Sequence, residues 1–174
     1  MSTLFIGFIG MLAVLLEATW LHQVAIFETI PNLSIILVVH WSILQGCVRG
    51  RRLGLWIGLL EDFLFHKIVG FYSLFYYLLG HLCGLMKRDF SKGHYILPLM
   101  IVTAADLFYG LLHYMLYGFF QGNLNLGFYL KNRIFPEMFY SAIVSLPIYF
   151  ILFILSKYLD RIKVAISGRK EKEL

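Results

Sequence analysis

A chain of 174 residues that is 60% hydrophobic, 17% aromatic and only 14% charged carries more apolar residue than a soluble domain of this size needs. Its solvent is therefore read as lipid, and its net charge of +5 as loops facing anionic headgroups, not as a nucleic-acid surface. The apolar runs are long and continuous, which excludes a β-barrel of short alternating strands and leaves helices to satisfy the backbone in lipid.

Six apolar segments follow in chain order. The first spans residues 4–20, with Trp20 at an interface; no basic residue precedes Leu4 and no small-x-small site follows, so it is expected to stay as a helix. Pro31 opens the second, which reaches residue 48. The third, residues 53–65, is short, and Arg51 and Arg52 can snorkel to extend it. A turn at residues 67–70 leads to the fourth, residues 71–86. The fifth covers residues 95–120, and a loop rich in turn formers (Gly122, Asn123, Asn125, Gly127) fills residues 121–133. The sixth covers residues 134–158 with a kink expected at Pro147, and the polar end of the chain is expected to fray. The domain reading is one membrane unit over residues 1–160 and a short basic tail over 161–174.

The basic residues fall in every second gap. Arg49, Arg51 and Arg52 follow the second segment; Lys87, Arg88 and Lys92 follow the fourth; Lys157, Arg161, Lys163, Arg169, Lys170 and Lys172 follow the sixth. Those are 12 of the 15 Lys and Arg residues, with Lys67, Lys131 and Arg133 left over. This positive-inside pattern predicts an all-α, multi-pass protein of the bacterial cytoplasmic membrane with both termini cytoplasmic. Cys47 and Cys83 then lie near cytoplasmic helix ends, where a disulfide is not expected and a packing role is.

Gly46, Gly50, Gly54, Gly58 and Asp62 stand four apart, and Gly80 and Gly84 repeat the spacing on the fourth segment. Such a stripe allows close helix approach, either within the chain or with a partner's membrane helix. Glu17, Glu61, Asp62 and Asp106 are acids within spans, each costing roughly 2.5–3.5 kcal/mol on insertion scales, so each needs a reason to be there. Asp62 and Asp106 reach similar depth and could face each other; Asp106 and His113 share a helix face. Asp62 is expected to act as a buried hydrogen-bonded group, not a proton carrier, so that Asn replaces it closely. His81 is a further buried polar candidate. No two histidines stand at metal-ligand spacing, and no nucleophile–base pattern or phosphate loop appears, so no catalytic residue, metal or cofactor is expected.

Pro31–Asn32–Leu33, the run from Gly46 through Gly58–Leu59 to Asp62, and then Gly70–Phe71–Tyr72–Ser73 and Gly80 resemble, in order and spacing, the rod shape-determining protein MreD family. The resemblance is motif-level over residues 31–84, and Glu61 beside Asp62 departs from the family pattern. It implies a non-enzymatic component of the cell-wall elongation machinery that acts beside MreC, RodA and a class B penicillin-binding transpeptidase, with MreB an indirect partner. It also implies a fold related to the substrate-binding subunits of energy-coupling-factor transporters: six helices around an outward-facing cavity. A vitamin-capturing transporter subunit is the alternative, although the first segment lacks the A-x3-A-like face those subunits carry. A small membrane enzyme is the third class, against which the chain lacks clustered Arg, His and Asp at one interface.

Overall fold

Asn32 begins the most deeply buried of the described helices. Its side-chain Oδ1 accepts the Ile35 N–H at 2.9 Å, capping α1, Leu33–Gln45. The computed structural model describes residues 10–12, 14, 15, 17, 19, 30–65, 69–88, 96–118 and 126–170, apart from the side chains of residues 88, 117, 118 and 159–170. Trp20, the loop at 22–29, Lys67, Lys92 and the turn formers at 122–125 lie outside the described residues. The described residues between 10 and 19 are helical. They are followed by α1; α2, Cys47–Phe65; α3, Phe71–Leu85; a 3₁₀ turn, Met86–Arg88; and α4, Ile96–His113. A π-helical turn, Tyr114–Gly118, extends α4. The short α5, Leu126–Tyr129, passes through a second π turn, Leu130–Ile134, into α6, Phe135–Lys170. No strand occurs among the described residues.

Several boundaries differ from the sequence reading. Pro31 stands one residue before the cap of α1 rather than in its first turn, because Asn32 takes the cap. α1 stops at Gln45, three residues early: Gly46 adopts φ +90°, a conformation other residues rarely tolerate, and turns the chain directly into α2. The Arg49–Arg52 gap is therefore the start of α2. Residues 126–133 are helical rather than loop, and α6 runs on through Pro147 to Lys170, so residues 161–170 of the tail extend the helix. Gly127 lies in α5 with open space around it.

α1 is the axis of the bundle. Residues 34–43 are all buried, which a short helix of apolar composition on every side requires. It touches α2, α3, α4 and α6; among the described elements the most extensive contact is α2 on α3, and α4 packs on α6. The core joins Val14, Ile35, Val39, Leu53, Ile57 and Val102. The outside is more apolar than the core is: Phe63, Met100, Phe108, Phe139, Ile143 and Ile154 are exposed, while Asn32, Ser34, His40, Ser141, Ser145 and Ser156 are buried. Ile96–Leu116 and Leu126–Tyr158 are long and apolar enough to cross a membrane, and α1 and α3 are shorter apolar helices.

Candidate functional site

The glycine ladder lies between α2 and α3. A Cβ on Gly50 would stand 2.6 Å from the Gly80 carbonyl oxygen, and one on Gly54 or Gly58 would overlap the Tyr76 carbonyl or the Ser73 backbone. From the other side, Gly80 meets the Gly50 backbone and Gly84 meets the Cys47 backbone. All five glycines are thus occupied by contact within the chain, backbone against backbone. Cys83 is buried beside this interface and Cys47 is partly exposed, and both are free thiols.

At the end of that interface Asp62 closes the junction between the two helices. Its Oδ2 accepts the Gly70 N–H at 2.9 Å, the Ser73 N–H at 3.0 Å and the Ser73 hydroxyl, while Oδ1 accepts the Tyr72 N–H at 3.3 Å. These are orphan donors of the first turn of α3, which no residue of α3 itself can satisfy. Gly70, at φ +103°, turns the chain so that its own N–H joins them, and it makes no side-chain cap of its own. The side chain of Asp62 is wholly buried (0% exposed). Asp62 therefore caps the following helix from the preceding one, which explains in physical terms why G-x3-G-x3-GL-x2-D is followed by G-F-Y-S. Every partner is a donor, so Asn is a poorer replacement than expected: its amide nitrogen would face an N–H.

The remaining polar residues form two further groups. Three pairs join α1 to α6: the Asn32 N–H donates to Ser141 Oγ at 3.0 Å, His40 Nε2 lies 3.2 Å from Ser145 Oγ, and Gln45 Nε2 donates to Ser156 Oγ. His40 Nδ1 also meets the Ile36 carbonyl at 2.7 Å. The sequence reading missed this seam, although serines at 141 and 145, followed by Ser156, mark one face of the last helix.

The second group surrounds Tyr76 and Tyr109. Glu17 Oε2 accepts the Ser34 hydroxyl at 2.8 Å and the Ser34 N–H at 3.2 Å, and Glu61 Oε1 accepts the Tyr76 hydroxyl at 3.0 Å. Asp106 and Glu137 lie within electrostatic reach of each other and of Glu17. Glu61 and Asp106 are 5% and 3% exposed; Glu17 and His81 are partly exposed as whole residues, with the His81 Nδ1 atom itself buried. Asp106 pairs with neither Asp62 nor His113; His113 Nδ1 instead lies 2.9 Å from the Tyr72 hydroxyl. Glu137 was missed, since it follows Arg133 by one turn and reads as a surface charge. No three His, Cys, Asp or Glu residues among those described converge on a metal position.

What these elements define is a helical, membrane-type bundle whose polar residues are spent on helix capping, helix pairing and one acidic centre. Its sequence matches the family described as rod shape-determining protein MreD over residues 1–159. The chain belongs to the MreD family. No curated protein and no solved structure matches it.

Proposed function

We propose that this chain is a six-span scaffold of the bacterial cell-wall elongation machinery, lying in the cytoplasmic membrane with both termini inside and binding MreC directly. Through MreC it acts on RodA and the class B transpeptidase, and indirectly on MreB, without chemistry of its own. The family match over residues 1–159 carries this reading. The distribution of Lys and Arg supports the orientation, and the apolar exterior of α4 and α6 supports a lipid environment. The match favours a shape-determining role over a vitamin-capturing subunit, for which no observation speaks.

The test is complementation. The gene should restore rod shape to cells lacking their own MreD-family protein, and a tagged copy should co-purify MreC. Spherical cells despite normal protein level, or a membrane extract in which the two never associate, would overturn the reading.

A further inference from the structure

The basic start of α2 serves neither the glycine interface nor the helix caps. Arg49, Arg51 and Arg52 fall in its first two turns, and no acidic residue stands in its first turn. Cations at that end oppose the helix dipole, so their charge calls for an anion. No described carboxylate supplies one. Glu61 and Asp62 lie more than two turns further along α2, and Glu17, Asp106 and Glu137 belong to the Ser34 and Ser141 end of the bundle. Arg49 is taken up by Gln45, whose side-chain oxygen accepts from its guanidinium. Arg51 and Lys87 meet no acceptor among the described side chains. Arg51 stands over Tyr77, 6.0 Å from the ring centroid. Lys87, exposed in the 3₁₀ turn after α3, lies over Gly46: a Cβ there would stand 3.1 Å from its Cδ and 4.0 Å from its Nζ. Gly46 and Arg51 are five residues apart, about 7.5 Å at helical rise, so two long side chains can converge on one anion between them. The surface beside these cations is apolar. Val48 and Leu55 flank Arg51 at i−3 and i+4, Leu74 and Leu85 flank Tyr77 at i−3 and i+8, and all four are exposed.

We propose that the outer edge of the α2–α3 pair binds an anionic phospholipid, its phosphodiester held by Arg51 and Lys87 and its acyl chain by the exposed apolar residues beside them. The planar fork of Arg51 can take two phosphate oxygens at once, while Lys87 meets them as a point charge. The Tyr77 face holds the guanidinium in place. From Leu85 back to Leu74 is eleven residues, about 16 Å of helix, which matches the roughly 15 Å of hydrocarbon in one leaflet. Charge complementarity selects an anion, and the adjoining apolar edge selects a lipid. A soluble phosphate would leave that edge unused, and an acidic protein segment would leave its leucines and valine without apolar partners. The inference rests on the membrane placement proposed above and not on MreC. Lipid binding is read on the isolated protein, so its failure and a failure of complementation are separate results.

The test is thermal unfolding of the full-length protein in detergent micelles doped with dioleoyl phosphatidylglycerol. The comparisons are zwitterionic dioleoyl phosphatidylcholine in the same amount, and glycerol 3-phosphate or a short polyglutamate peptide at equal charge. Near 100-fold saturation, phosphatidylglycerol should raise the melting temperature by about 5 °C or more. Arg51→Gln and Lys87→Gln should each need at least about tenfold more of it for half the shift. Lys131→Gln, an exposed cation on another helix, should respond as the wild type does. Should Arg51→Gln fail to fold, Lys87→Gln, at an exposed position, decides alone. An equal shift with phosphatidylcholine would reduce the effect to acyl solvation. An equal shift with glycerol 3-phosphate would assign the site to a free phosphate, and one with the peptide to an acidic protein. Each of these outcomes overturns the proposal, as does no shift, an unaltered response in the site variants, or an equal loss in Lys131→Gln.

Discussion

Asp62 shows how much one residue does when its neighbours are all donors. The cap joins two helices that a Gly70 turn separates, so losing it frees the first turn of α3 and the Tyr72 and Ser73 side chains set by it. Asp62→Leu leaves several buried donors unpaired at about 1–3 kcal/mol each. An asparagine in its place keeps one acceptor, which can sit at the crowded Oδ2 position, and turns its amide on the Tyr72 N–H. Asp62→Asn should therefore melt below the wild type but above Asp62→Leu, and should complement rod shape partially. Equal behaviour of the asparagine variant and wild type would mean that the Tyr72 contact is immaterial. Ser73→Ala removes one donor and should cost about 1 kcal/mol, measured by the same melts. The importance of Asp62 was legible in its spacing from the glycines. Its partners were not, because the donors are backbone groups that no side-chain pattern announces.

Helix pairs are set by two different devices. Between α2 and α3 the device is the absence of side chains. Gly58→Leu must displace the Ser73 backbone, which cannot turn aside as a side chain can, so the cost should reach or exceed the roughly 1–3 kcal/mol typical of overpacking. Gly127→Ala meets open space on a helix and should be neutral or slightly stabilising. Comparable loss of folded protein from both substitutions would contradict a special role for the α2–α3 face. Between α1 and α6 the device is polar pairing. A double-mutant cycle of His40→Ala with Ser145→Ala should return a coupling of about 0.6 kcal/mol, the average for hydrogen bonds between membrane helices, and a coupling of zero would remove the pair from the account. Five of the apolar segments were legible as helices because hydropathy alone finds them. The boundaries were less so. A single Gly46 replaces the expected gap, and residues 126–133 continue a helix whose lysine and arginine resemble loop charges when read without its packing.

Among the described residues of the whole molecule, charge is sorted along the bundle axis, with Lys131 and Arg133 as the exceptions at the acidic end. The α1–α6 seam fixes the register: Asn32 and Ser141 lie at one end, Gln45 and Ser156 at the other. At the Gln45 end the Arg49 guanidinium donates to Gln45, Lys87 lies over Gly46, the Arg51 guanidinium stands 6.0 Å from the Tyr77 ring centroid, and the Lys157 ammonium stands 4.5 Å from that of Phe153. Towards the Asn32 end lie Glu17 with Ser34, Asp106 beside Ser141, and Glu137. Basic side chains folded along aromatic rings at one end are what a cytoplasmic interface favours, since anionic lipid and the positive-inside bias act on the same groups. Single cysteines at position 125 and at position 169, in a protein whose Cys47 and Cys83 are changed to Ala, should therefore react with an impermeant thiol reagent from opposite faces of the membrane: Asn125→Cys in intact spheroplasts, Arg169→Cys only after permeabilisation. Reaction of both from the same face would break the link between the basic end of the bundle and the cytoplasm, and with it the proposed orientation.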